Sequence, residues 1–272
     1  MWNCIKASRT VDSGVALYAE LLPDQLDALW ARNAVAIVPW GALEWHGPHL
    51  PLGLDGLVAK YFSEQLAHEI ESVLLPPIWL PITTLPHRHS QQIRTETFRM
   101  LLDDLFAGLY SSGARRIALI TGHYAQAHMI EISEAALRAM EDHAGLLVFA
   151  ASPLELLAQS ELLDHAGHFE TSQLMAIRPD LVQLDNLSST DTESTAVLGE
   201  APQLASAEEG VKLFSLAIET WKHWLATSSR GELIPHYRTV FDNYEPYVEA
   251  FYKGSWEDAI QAWWQTKTTA NG

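Results

Sequence analysis

Glu44 and His46 stand two residues apart, and Asp55 follows shortly after them. In extended chain, side chains two apart point the same way, so this acid and imidazole can face one point. Asp55 opens a helical pattern, where the N-terminal dipole favours an anion. Carboxylates combined with imidazole suit Zn²⁺, Mn²⁺ or Fe²⁺. A carboxylate has two oxygens, so one aspartate can bridge two ions. Two such ions would activate a water and clamp a substrate oxygen. The plain alternative is a solvated loop that happens to carry an acid and two histidines, and spacing alone does not separate the two.

Such residues need elements to carry them. Val35-Ala36-Ile37-Val38-Pro39-Trp40 is a short apolar run that reads as a buried strand. A loop rich in Gly and Pro follows, from Gly41 to Gly56. The spacing of Val58, Phe62, Leu66 and Ile70 then predicts a helix over 57–70. Pro76, Pro77, Pro81 and Pro86 break the next stretch into extended pieces and loops. Phe98, Leu101, Leu102, Leu105 and Leu109 predict a helix over 95–110, with Thr95 as N-cap and Gly113 as stop. Ile117 to Ile120 is a second buried strand, with Gly122-His123-Tyr124 just past its end. A helix over 127–143 and a third strand over 146–150 complete the pattern.

Alternating strands and helices imply right-handed crossovers, hence a three-layer αβα sandwich around a mostly parallel sheet. In such sheets ligands bind outside the carboxyl ends of the strands. The 41–56 loop and the 122–124 turn both fall there, so the two segments can converge on one site. The chain reads as one domain over residues 1–272, with a helical, aromatic region from about 207 to 272. That region shows helical stretches over 207–226 and 255–266. Its aromatics, Trp221, Trp224, Tyr237, Tyr244, Tyr247, Phe251 and Tyr252, suit packing or a subunit interface.

With 34 acidic against 17 basic residues, the chain carries a formal charge of −17. Such a surface repels phosphate backbones and anionic lipid, which argues against nucleic-acid or membrane partners. The 272 residues, 48% of them hydrophobic, suffice for a large core. The lone Cys4 allows no disulfide within the chain, and no signal-peptide run or membrane span is seen. A cytoplasmic protein with a small-molecule substrate is the expectation.

The run Glu44-Trp45-His46-Gly47-Pro48-His49-Leu50-Pro51 resembles the E-[QW]-H-G-P-H-L-P signature of the creatininase family. The family's following aspartate matches Asp55. Its glycine-histidine turn is matched by Gly122-His123-Tyr124, and its histidine followed by E-T-S by His165 and Glu170-Thr171-Ser172. The three motifs occur in order and span about residues 35–178. The resemblance implies a creatininase-like amidohydrolase that cleaves a C–N bond with metal-activated water. It implies Glu44, His46, Asp55 and His123 as ligands, with Asp55 bridging. Glu170 is a further ligand or a supporting acid. His165 would move the proton to the leaving nitrogen, a task that suits imidazole. Tyr124, and His89 in the Pro-bounded loop that also holds His87, would contact substrate. The cofactor implied is zinc or manganese, with iron possible, at one or two ions per chain. The assembly implied is a homohexamer.

One position departs from the pattern. Creatininases carry a metal-binding glutamate two residues after the turn histidine, and here that position is Ala125. A second ion then lacks a ligand unless Glu170 supplies it. The substrates of the family include creatinine, a formamidopyrimidine, a modified peptide and a cyclic keto-inositol. Ala125 shifts weight away from creatinine. It also keeps open a protein of the same fold that binds a metal or ligand without turnover. Among the other histidines, His49 reads as a loop hydrogen bond, His128 with Glu131 as a surface pair, and His168 as lying outside the pocket.

Overall fold

Every residue of Val35–Trp40 is buried, as in a strand covered on both faces. It is β2 of a five-stranded sheet in the computed structural model, which describes residues 14–157, 162–187 and 195–253. The other strands are β1 (Ala16–Leu17), β3 (Ser72–Leu74), β4 (Arg116–Thr121) and β5 (Leu147–Ala151). Their order is β1-β3-β2-β4-β5, and every pairing is parallel. Ile37 lies opposite Leu74 on one side and Ala118 on the other. β2, β4 and β5 follow the apolar runs of the sequence. β1 and β3 are only two and three residues long, too short to show a period.

The helices are α1 (Pro23–Ala31), α2 (Leu54–Glu69), α3 (Thr95–Ser112), α4 (Gln126–Asp142), α5 (His168–Ile177), α6 (Ala207–Thr227) and α7 (Arg230–Lys253). α2, α5 and α6 pack together, and α3, α4 and α7 form a second group, with the sheet between them. The expected αβα layering is therefore present. Thr95 is the first residue of α3 rather than its cap, and no side chain caps that end. α7 contains Pro235 and Pro246, and proline normally ends a helix, so its pattern is masked in the sequence. The helix expected over 255–266 lies outside the described residues.

The aromatic region beyond residue 207 packs where its side chains are described. Trp221 is fully buried against Phe62, and Trp224 meets Phe149 edge-on at 5.1 Å. The Tyr237 hydroxyl donates to the Val148 carbonyl at 2.7 Å and accepts from the Ala150 amide at 2.8 Å. One phenol thus ties α7 to β5. The side chains of Tyr244, Tyr247, Phe251 and Tyr252 lie outside the described set. Among the described residues no helix is long and apolar enough to cross a membrane.

Candidate functional site

The loop after β2 and the turn after β4 leave neighbouring parallel strands at their carboxyl ends. Glu44 and His46 sit on the first, His123 on the second, and Asp55 on the first turn of α2. His165, just before α5, and Glu170, in the first turn of α5, come from a third segment. Glu44, His46, Asp55, His123 and Glu170 are all buried, with at most 4% of their surface exposed.

Asp55 sits at the centre. Its Oδ1 lies 3.0 Å from His46 Nε2, and its Oδ2 lies 3.3 Å from His123 Nδ1. Glu44 Oε2 is 2.9 Å from His123 Nδ1, and Glu170 Oε2 is 3.6 Å from His46 Nε2. Two groups of ligand-type atoms therefore share Asp55, namely Glu44–Asp55–His123 and His46–Asp55–Glu170. Within each group the atoms lie within 4.8 Å of one another. Glu44, His46 and His165 form a third such group.

The imidazoles are oriented from behind. His123 places Nε2 2.9 Å from the Ile82 carbonyl, and His46 places Nδ1 3.1 Å from the Glu44 carbonyl. A carbonyl accepts only from a protonated nitrogen. The remaining nitrogen of each ring is thereby turned toward the carboxylates, the arrangement that second partners impose on metal-binding histidines. Glu44 is held as well, since its Oε1 accepts from the Leu85 amide.

The electrostatics tell the same story. Burial opposes charge on His46, but Asp55 and Glu170 outweigh it and lift its pKa to about 10. Burial likewise opposes charge on His123, and Glu44 and Asp55 raise it well above the usual range. Burial would raise Glu44 and Asp55, yet the imidazoles hold both carboxyls below their ordinary values. Glu170 goes the other way: burial, with Asp55 and Asp164 nearby, pushes it up to about 8. Glu44 Oε2, His46 Nε2 and Asp55 Oδ2 have no hydrogen bond of good geometry despite full burial. Buried polar atoms in that state are costly, and a cation among them satisfies all three. The donor set of carboxylate oxygens and imidazole nitrogens fits a divalent transition metal.

Glu170 is fixed by two contacts. The Tyr124 hydroxyl lies 2.7 Å from its Oε1 and the Ala166 amide 2.6 Å from its Oε2. Ala166 has φ of 51°, a left-handed conformation that a non-glycine residue holds only when its surroundings impose it. His49 supplies part of that restraint, with Nε2 3.0 Å from the Ala166 carbonyl. Burial pushes His49 down to about 4, so it is neutral and donates. This is the loop hydrogen bond the sequence suggests. Gly47, with φ of 74°, is required at its place, because a Cβ there would lie 2.2 Å from the Thr195 carbonyl oxygen.

His165 stacks on His46 with ring centres 4.3 Å apart, and its Nε2 lies 3.1 Å from the Trp45 carbonyl. Nε2 therefore carries the proton and Nδ1 keeps its lone pair. Burial pushes this imidazole down to about 4, so it is neutral. Its grouping with Glu44 and His46 is a ligand geometry that the sequence does not signal. Tyr124 and Glu170 wall a recess with Leu54, Leu154 and Gln173. His89 is exposed on the loop above.

One expectation is corrected. His128 and Glu131 are not on the surface, since both are fully buried. His128 packs edge-on against His123 at 4.8 Å, and Glu131 pairs with Arg99 of α3 at 2.5 Å. Spacing along one helix gives no sign of α3 covering that face. His168 lies outside the pocket, as the sequence suggests, with its ring nitrogens 3.0 Å from Glu200 and 2.5 Å from Glu209.

Residues 19–225 match the family model described as Creatininase: Creatinine amidohydrolase. The chain is 28% identical over 181 residues to creatinine amidohydrolase of Pseudomonas putida, covering 58% of this chain and 69% of that one. It is 26% identical over 224 residues to the mycofactocin precursor peptide peptidase of Mycobacterium ulcerans (strain Agy99), covering 72% and 84%. A solved structure described as Creatininase Mn superposes with a TM-score of 0.66 at 21% identity, covering 85% of this chain and 99% of that one. That last likeness concerns the fold.

Proposed function

The chain belongs to the creatininase family of amidohydrolases, and from that premise we propose that it hydrolyses a C–N bond of a small amide, cyclic amide or formamide at the Asp55 cluster. Glu44, His46, Asp55, His123 and Glu170 would hold one or two divalent ions, zinc, manganese or iron. The observation that carries this reading is the orientation of His46 and His123. Each gives one ring nitrogen to a backbone carbonyl and turns the other to Asp55. Such an ion polarises a carbonyl and makes water acidic enough to attack it.

The residues of the chain do the rest. Asp55 offers one oxygen to each half of the site. Glu170 supplies the carboxylate that Ala125 does not, held in place by Tyr124 and Ala166. Neutral His165 takes a proton from the attacking water and passes it to the leaving nitrogen. A C–O bond forms, the C–N bond breaks, and an acid and an amine leave. Tyr124 and His89 would contact the substrate.

Metal analysis tests the proposal. Purified protein should carry about one to two transition-metal ions per chain, and Glu44→Gln should lose metal and activity together. Protein that is metal-free and unaffected by Glu44→Gln overturns it. A panel of cyclic amides, formamides, short peptides and keto-inositols then sorts the substrate. A homohexamer in the cytoplasm completes the reading. Exposed Met100, Leu204, Val211 and Leu216 offer apolar surface for assembly, and a clean monomer by light scattering would remove the hexamer.

A further inference from the structure

The loop 82–92 lies over the carboxylate–imidazole cluster and is fastened to it at several points. Ile82 receives His123, the Leu85 amide binds Glu44, Ser90 Oγ accepts from the Trp45 amide at 3.0 Å, and the Gln91 amide donates to Leu43 at 2.8 Å. The crown of this loop is His87-Arg88-His89. His87 stacks on Trp45 at 4.9 Å with only 18° between the rings. Trp45 is the residue between Glu44 and His46, so the crown is seated on the loop that carries those two ligands.

Arg88 is exposed and donates from Nε to His89 Nε2 at 3.1 Å. It makes no ion pair among the described residues. In a chain with 34 acidic and 17 basic residues, carboxylates are plentiful. Arg32, Arg99, Arg138 and Arg178 each have one, while Arg115, Arg116 and Arg230 reach backbone carbonyls instead. An unpaired arginine on open surface needs no explanation. This one stands three residues from Leu85, whose amide touches Glu44, so backbone reach places it within roughly 10 Å of that contact. A guanidinium presents a fork of donors matched to a carboxylate or phosphate, and two imidazoles flank it.

We propose that Arg88, with His87 and His89, forms an oxyanion subsite on the loop fastened over the cluster, which selects amide substrates bearing a carboxylate or phosphate group. This rests on the amidohydrolase reading above and adds the charge of the substrate to it. The subsite also offsets the repulsion that an anion would meet from a chain of net charge −17.

The test compares matched probes on the metal-loaded protein: N-formylglycine, its uncharged amide N-formylglycinamide, and N-formylaminoethyl phosphate. The readout is the ratio of kcat/KM for each anionic probe to that for the neutral one. Arg88→Gln should lower at least one ratio on the order of tenfold, the size of one charge-assisted contact. Arg88→Lys should lie between Gln and wild type. Whichever ratio falls identifies carboxylate or phosphate. Ratios unchanged in Arg88→Gln overturn the proposal. Binding of N-acetylglycine and of aminoethyl phosphate by titration calorimetry is the second readout. If no probe is hydrolysed but Arg88→Gln still weakens one of these ligands about tenfold, the subsite stands and formamides fall as the substrate class. If neither ligand is weakened, the subsite falls whatever the activity.

Discussion

Gly122 packs against the backbone of Asp55 so closely that a Cβ added to it would lie 2.0 Å from the Asp55 carbonyl oxygen. The turn after β4 and the start of α2 are therefore in contact through bare backbone. That contact sets how far His123 stands from Asp55. Gly122→Ala should push the two apart and cost about 1–3 kcal/mol of stability, the range for overpacking a tight interior. It should also weaken metal uptake, since it would separate His123 Nδ1 from Asp55 Oδ2, which stand 3.3 Å apart. Urea denaturation and metal content check both. A variant with wild-type metal content would show that this approach does not set the site.

Much of this was legible beforehand. The apolar runs at 35–40 and 117–120 give the central strands, and the strand-end rule places Glu44, His46 and His123 at one edge. Asp55 is legible because it opens a helix. The backbone partners are not. Ile82 and Leu85 contribute a carbonyl and an amide, which carry no side-chain signature, across 41 residues of sequence. His128 is invisible for a related reason. The helix shows which residues share a face, but only the packing of α3 shows that this face is covered.

Under the proposed reading, Glu170 determines whether the site holds a second ion. Its Oε2 lies 3.6 Å from His46 Nε2 and shares a group of ligand atoms with His46 and Asp55. Glu170→Gln keeps the shape and the Tyr124 contact but removes an anionic ligand. Affinity for one ion should fall by at least on the order of tenfold, while an ion held by Glu44, Asp55 and His123 should remain. Metal titration followed by mass spectrometry of the native protein counts the ions. Unchanged stoichiometry and affinity would assign Glu170 a purely structural role.

Glu155 offers a pH test away from the cluster. Burial pushes its carboxyl from the ordinary 4.5 up to about 7, although the Ser152 amide, 3.1 Å from Oε2, favours the charged form. Below the ordinary value both folded and unfolded chains hold the proton, so pH has no effect through this group. Between about 4.5 and 7 the unfolded chain has released its proton and the folded chain still binds it. Stability therefore falls as pH rises through that window. Glu155→Gln should remove this component, leaving the variant more stable relative to wild type at pH ~8 than at pH ~4. Equal differences at the two ends would show that Glu155 does not titrate this way.

Arg99 and Glu131 join α3 to α4 by two contacts of 2.5 Å, with Glu131 sealed from solvent and Arg99 still 41% exposed. Arg99→Met leaves a carboxylate buried without its guanidinium. Losing one partner of a fully buried pair costs about 3–5 kcal/mol, and the exposure of Arg99 reduces that, so about 2–3 kcal/mol is expected here. Arg99→Met with Glu131→Leu should recover most of the loss, because the buried carboxylate that lost its guanidinium is removed with it. His128 lies on the same helix and packs against His123, so a slack α3–α4 junction reaches the metal ligands through that ring. The single variant should accordingly bind metal more weakly, and the double variant should regain metal along with stability. Urea denaturation of metal-free protein separates the two effects. If the single variant loses metal affinity without losing stability, the pair acts on the site by some route other than the packing of α3 on α4.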